Sequence, residues 1–278
     1  MTDQAARYDR IAEGYARWWA PVLAPSARAL VERLDADTDG RAARILDVGT
    51  GTGTLVLAAL ERWPHVRIDA IDASDEMASA ARLAIAATPG GAARAAITTA
   101  YADELPFPDD TFDAAMSSFV LQLVPNRYRA LREIRRVLRP GGRLAYVTWV
   151  TDRRRWRPDD ILDDILEELG IEDRVDDDDP DDGLAGNLPS AEAAAAGMRR
   201  AGFRDTVAEA ARLRYQFDPA SYTSFIAEFD EETLVNSLEP EVRARLTGEL
   251  TSRLARLDPE ELVLDAPIAY ATGRKPER

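Results

Sequence analysis

The segment 45–55 reads ILDVGTGTGTL. An apolar run stops at Gly49, glycine returns at Gly51 and Gly53, and Asp47 stands just ahead of the first. Each glycine weakens regular structure by roughly 0.5–1 kcal/mol relative to alanine, so three at alternate positions exceed what a tight turn needs. Glycines between a strand and a helix let the backbone come close to a ligand, and the helix start offers that ligand unpaired N–H groups. The pattern is read as a loop that holds a polar ligand. Asp72 follows about twenty residues later, at the end of a second strand-like run, where a carboxylate accepts both hydroxyls of a ribose. Each such bond to the charge contributes roughly 1.5–3 kcal/mol. The dinucleotide fingerprint G-x-G-x-x-G would place glycine at position 54, where this chain has Thr54. Asp72 suits either kind of site and does not separate them.

The elements that must position these residues follow from periodicity and turn formers. RILDV, VRIDAID, AAITTAYA and RLAYVTWV read as strands, and TFDAAMSSFVLQL as a long buried one. FRDTVAEAARLRYQF and LVLDAPIAYATGRKP add a sixth and a final strand. Helices fall between them. SDEMASAARLAIAA starts at an N-cap, Ser74, and SAEAAAAGMRRAGF at another, Ser190. RYRALREIRRVL is a basic amphipathic helix, and PGG is expected to stop it before RLAYVTWV. This alternation predicts an α/β, doubly wound, mostly parallel sheet. At the N-terminus, RYDRIAEGYARWW puts Tyr8, Ile11, Tyr15 and Trp18/Trp19 on one helical face. Pro21 and Pro25 are expected to break that helix, with a second one over 26–34.

The chain divides into an N-terminal helical cap (1–40), a core (41–150), a helical and acidic insertion (151–189), a core helix and strand (190–217), a helical insertion (218–262) and a terminal core strand (263–278). The acidic tract 176–182 is read as a solvated loop rather than a cation site, because like charges repel and extend it. No metal site is assigned.

Charge and composition narrow the function. The net charge is −15, which repels phosphate backbones and argues against a nucleic-acid substrate. Cysteine is absent, so thiolate nucleophiles and disulfides are excluded. The longest uncharged run, 114–126, is well short of the roughly 18 residues a membrane helix needs. The first residues carry Asp3, Arg7, Asp9, Arg10 and Glu13 and show no signal-peptide pattern, so a cytoplasmic protein is expected.

ILDVGTGTG, AIDASDEM, ADELPFPDDTFDAAMSSFVLQLV and LREIRRVLRPGGRLAYVTW occur in the order and spacing of class I S-adenosylmethionine-dependent methyltransferases. The chain resembles their ubiquinone/menaquinone-biosynthesis-like, small-molecule branch, strongly over about 41–150 and weakly at RRAGFRD and ATGRKP. The resemblance implies a Rossmann-like seven-stranded sheet with an antiparallel last strand and helical insertions that cover the substrate. It implies S-adenosylmethionine as cofactor. Gly49, Thr50, Gly51 and Gly53 would wrap its methionine and ribose, with Asp47 supporting that loop. Asp72 and Ala73 would hold the ribose, Met77 would lie near adenine or ribose, and Ala102, Asp103 and Glu104 would meet the adenine. The fourth strand ends at Ser117 and Ser118, where the Ser118 carbonyl would take the ammonium. Phe119 and Gln122 would face the acceptor. Tyr8, Tyr15 and Trp149 join them as substrate-side candidates.

Methyl transfer from a sulfonium is an in-line displacement whose leaving group departs neutral. Alignment is the protein's main task and can supply roughly 7–11 kcal/mol. His65, the sole histidine, precedes the second strand, at the edge away from the expected site, and is read as a surface residue. No catalytic residue is assigned. The expected partner is a small molecule, apolar or aromatic, and a homodimer is left open as the assembly. Two rival readings stand. One is cofactor binding without turnover, in a regulatory or scaffold role. The other is an NAD(P)-dependent oxidoreductase, opposed by Thr54 and by a sole lysine at Lys275.

Overall fold

The computed structural model describes residues 3–34, 43–152, 154–171 and 186–277. The acidic tract 176–182 lies outside them. The described strands are β1 (Arg44–Val48), β2 (Arg67–Asp72), β3 (Ala95–Thr99), β4 (Phe112–Ser118), β5 (Leu138–Trp149), β6 (Arg204–Gln216) and β7 (Val263–Arg274). They form one seven-stranded sheet in the order β3-β2-β1-β4-β5-β7-β6. All the pairs are parallel except those of β7, which runs antiparallel to both β5 and β6. The expected architecture, antiparallel last strand included, is what is found.

Helices cover both faces, and the central strands are therefore near-continuously apolar. One core packs Ile45, Val56, Ile68 and Met116 against α2 (Ala20–Arg33), α3 (Thr54–Arg62) and α4 (Asp75–Ala86). The other packs Leu46, Phe112 and Tyr146 against α6 (Arg127–Val137) and α8 (Ala191–Arg200). α5 (Gly91–Arg94) is a single turn before β3. Ser74 and Ser190 cap as expected: their Oγ atoms accept from Met77 N (3.1 Å) and Ala193 N (3.2 Å). The remaining helices, α7 (Arg157–Glu168), α9 (Pro219–Phe225), α10 (Glu232–Ser237) and α11 (Pro240–Leu254), lie with α1 (Asp3–Gly14) in the segments outside the core. Among the described residues no helix is long and apolar enough to cross a membrane.

Three local expectations are corrected. Pro21 and Pro25 do not interrupt the N-terminal segment. α1 passes through a π-helical turn (Tyr15–Trp19) into α2, with Pro21 in its first turn and Pro25 inside it. Pro21 follows closely on the π-helical turn, where the regular i→i−4 ladder is already interrupted. The buried face of Val22, Leu23, Ala27, Leu30 and Val31 outweighs the bond lost at Pro25. The long run after Thr111 is a strand only to Ser118, because Phe119 turns into the left-handed region (φ 55°). The segment Pro140-Gly141-Gly142 is an irregularity within β5, not a stop before it. The register with β4 jumps from Phe112↔Leu138 to Ala114↔Arg143.

Candidate functional site

The strand order reverses between β1 and β4, and ligands of open α/β sheets bind outside the carboxyl ends of the strands at such a point. The glycine loop lies there. Gly49, Gly51 and Gly53 all have positive φ (75°, 54° and 90°), a region that L side chains avoid. At Gly49 a Cβ would also lie 2.3 Å from Val120 Cγ2. The loop is tied to β2 by its own N–H groups. Gly49 N and Thr50 N both donate to Ile71 O (2.9 and 2.8 Å), and Gly51 N donates to Asp72 Oδ2 (2.7 Å). Gly53 N donates to Thr50 O (2.9 Å), closing the loop onto the start of α3.

Asp72 thus has a structural role that its sequence position did not reveal. Its other oxygen, Oδ1, accepts from Ser74 N (3.0 Å). The two carboxylate oxygens have about four lone-pair positions between them, so acceptor capacity remains for a ligand hydroxyl beside these bonds. Burial raises the Asp72 carboxyl above its ordinary range, while the backbone N–H groups of Ser74, Gly51 and Ala73 pull it down.

Asp47 is fully buried below the loop. The Thr50 side chain favours its charged form, yet neither Asp47 oxygen nor Thr50 Oγ1 meets a partner in hydrogen-bond geometry. Burial, opposed by Thr50 and helped by the charge of Asp72, pushes Asp47 up to about 7. A native carboxyl that keeps its proton to about pH 7, against 3.8 when unperturbed, supports folding fully only at low pH. That support is lost as pH rises from about 4 through 7. Asp47→Asn is therefore expected to stabilise the ligand-free protein at pH 8 by roughly 1–3 kcal/mol and to flatten its pH dependence. Urea midpoints of both proteins at pH 5 and pH 8 decide this. Equal slopes with pH would remove the argument.

A cleft opens to solvent beside the glycine loop. Gly49, Thr50, Gly51, Asp72, Ala73 and Met77 line it. So do Ala102, Asp103 and Ser118 on the β3 and β4 sides, and Tyr8, Tyr15 and Phe119. Five expected residues lie outside the lining. Asp47 is beneath the loop and Gly53 begins α3. Glu104 is exposed and pairs with Arg129 at 3.6 Å. Gln122 does not face the cleft: its Nε2 donates to Phe119 O (2.6 Å), and Thr148 Oγ1 donates to its Oε1 (3.0 Å). A buried amide must be paired, and its partners here are the ends of β4 and β5. Trp149 stands behind Phe119, ring centroids 4.4 Å apart.

Trp19, Trp156, Tyr222, Phe225 and Phe229 pack on one another outside the cleft lining, and Phe229 also meets the cleft residue Tyr15 edge-on (5.9 Å). Sequence reasoning missed Tyr101, Leu23, Val120, Leu123 and Val124, which complete the wall. An aromatic next to Ala102 and Asp103 was the available signal for Tyr101. The apolar four belong to a helix and a loop whose direction only packing decides. Burial raises the Tyr8 and Tyr15 phenols above their ordinary value, so both stay protonated donors at neutral pH. His65 is exposed, just before β2, away from the cleft.

Residues 46–146 match the family described as "Methyltransferase domain". This segment resembles a methyltransferase domain. Within it lie β2 to β4, most of β1 and β5, and every cleft residue named above except Tyr8, Tyr15 and Leu23. The ubiquinone/menaquinone biosynthesis C-methyltransferase UbiE of Geobacter sulfurreducens is 40% identical over 113 residues, covering 40% of this chain and 44% of that protein. The chain thus spans less than half the length of that curated relative. Two solved structures share the fold. The YcgJ protein of Bacillus subtilis aligns with a TM-score of 0.58 at 20% identity, over 91% of this chain and 99% of its own. The [4+2]-cyclase SpnF aligns at 0.55 and 23% identity, over 91% and 81%. Outside residues 46–146 the likeness is one of fold.

Proposed function

We propose that the protein transfers a methyl group from S-adenosylmethionine to a small, apolar acceptor. The observation that carries the reading is the corner where Gly51 N–H meets Asp72 at the reversal point of the sheet. It supports a ribose on Asp72, with the left-handed glycines leaving room for the cofactor above them. The donor set suits that group. The cofactor carries a sulfonium and an ammonium, and Asp72 and Asp103 give the cleft the opposite sign. The orphaned Asp47 and Thr50 oxygens are acceptors beneath the same loop.

In this reading, Gly49, Thr50, Gly51 and Ala73 hold the methionine and ribose part, Met77 and Ala102 flank the ring system, and Asp103 accepts from its amine. Ser118 takes the ammonium. The bound cofactor supplies an electrophilic methyl carbon. The chain's own contribution is alignment: Phe119, Tyr8 and Tyr15 set the direction of approach, and Leu23, Val120, Leu123 and Val124 exclude water. Those apolar walls support an apolar acceptor. We read 41–150 as the catalytic core, the helical segments around it as the cover, and the cytoplasm as the setting expected from the sequence.

Titration calorimetry with S-adenosylhomocysteine, S-adenosylmethionine and NADH tests the cofactor. Micromolar binding of the first two and none of NADH is the expected result. Binding of NADH alone would replace the reading with the oxidoreductase. Transfer of label from methyl-labelled cofactor to an apolar acceptor panel then separates turnover from binding without it.

A further inference from the structure

The cleft is roofed on one side by α1, and the roof is fastened at both ends. Ala5, Tyr8, Asp9 and Ala12 fall on one stripe of that helix, spaced three and four residues apart. Ala5 and Ala12 are buried, and Ala5 and Tyr8 line the cleft. Asp9 reaches past the cleft wall to the start of α4. Its Oδ1 accepts from Ser74 Oγ (2.6 Å) and from Glu76 N (3.2 Å). At the far end, Trp18 Nε1 (2.7 Å) and Arg17 Nη1 (3.1 Å), within the π-helical turn that continues α1, donate to Glu228 Oε2.

The first fastening leads directly to the ligand corner. Ser74 holds Asp9 through its hydroxyl and Asp72 through its backbone N–H (3.0 Å), and Asp72 holds Gly51 N (2.7 Å). A continuous polar chain therefore runs Asp9–Ser74–Asp72–Gly51, from the roof to the glycine loop. Ser74 Oγ also accepts from Met77 N, so its hydroxyl proton is directed to Asp9 while its lone pair caps α4. Asp9 adds a negative charge at the positive end of that helix, a favourable placement.

We propose that Asp9 is a positioning residue for the cleft: it couples the seating of α1, and hence of Tyr8, to the Ser74–Asp72 corner that holds the cofactor. The inference rests on the cofactor reading above. Both bonds to α4 end on one oxygen, Oδ1, so an amide carbonyl can replace it. A side chain without an acceptor cannot, and a longer acid places its oxygen elsewhere.

The test measures S-adenosylhomocysteine affinity and dissociation rate, ligand-free melting, and the ligand-induced change in tryptophan fluorescence. It compares wild type with Asp9→Asn, Asp9→Ala and Asp9→Glu. Asp9→Ala is expected to bind about tenfold more weakly, chiefly through faster dissociation, and to lose the fluorescence change. Asp9→Asn should stay within about threefold of wild type and keep it. Asp9→Glu, which preserves charge and serves if Asp9→Ala does not fold, should fall about fivefold with an unaltered melt. A part in folding alone would lower the melt and leave dissociation and fluorescence coupling as in wild type. Affinity within twofold of wild type in Asp9→Ala and Asp9→Glu, or Asp9→Asn as weak as Asp9→Ala, overturns the proposal. Failure of the wild type to bind S-adenosylhomocysteine would instead remove the cofactor reading, and this inference with it.

Discussion

Asp72→Ala is expected to weaken S-adenosylhomocysteine binding by about 100-fold or more while leaving a cooperative melt. Two losses combine. The ligand hydroxyls lose a charged acceptor, at roughly 1.5–3 kcal/mol per bond, and every 1.4 kcal/mol is about tenfold in affinity. In addition, the N–H groups of Gly51 and Ser74 lose the carboxylate that they share (2.7 and 3.0 Å), so the loop is no longer held in shape before the ligand arrives. Asp72→Asn separates the two. It retains one acceptor oxygen, leaves one of those N–H groups facing an amide N–H, and should bind with intermediate affinity. Its ligand-free stability should hold or rise toward alkaline pH. Burial raises the Asp72 carboxyl, so the native acid keeps its proton longer than the unfolded one and loses stability as pH rises. Calorimetry of the three proteins decides the matter. An alanine variant within threefold of wild type would take the ribose role from Asp72.

Gly51→Val should abolish detectable binding in a protein that still folds. Gly51 has φ 54°, and a β-branched residue there is a strong conformational outlier. Space is not the primary obstacle. A Cβ at this position would find Tyr15 Cε1 at 3.7 Å and Tyr15 Oη at 3.8 Å, ordinary contacts. Alanine therefore carries only the backbone penalty, roughly 1–2 kcal/mol, and Gly51→Ala should retain binding weakened by about tenfold. Valine adds two methyl groups toward Tyr15 and shifts the N–H that Asp72 accepts. Gly49 makes a useful contrast, because there a Cβ would lie inside Val120, and Gly49→Ala should lower the melt itself. Binding of wild-type strength in Gly51→Val would detach the glycine loop from the cofactor.

Much of the cofactor side was legible in the residues alone. Alternating glycines after RILDV, a carboxylate closing the next strand, and Ala102-Asp103 after the third are local patterns, and local patterns survive in any fold that keeps the element order. The same holds for the sheet. Strand and helix periods, the Ser74 and Ser190 caps and the helical stretches between strands depend on neighbours within a turn or a pleat. Pro25 shows the limit. A rule about one residue's backbone gave way to a face of α2's own side chains that its neighbours in the fold bury.

What the sequence determined by itself was therefore the sheet, its winding and the loop that makes the ligand corner. Tertiary structure decided the rest of the site, because the deciding partners are distant in the chain and carry no local signature. Asp9 meets Ser74 across 65 positions, and Trp18 meets Glu228 across 210. Gln122, expected in the cleft, is turned away because the ends of β4 and β5 present the partners that its buried amide requires. Most aromatic residues of the outer helices suited a substrate pocket by composition, yet Trp19, Trp156, Tyr222 and Phe225 pack on one another outside the cleft lining. An apolar face goes to whichever surface packs against it, and only the assembled fold determines which surface that is.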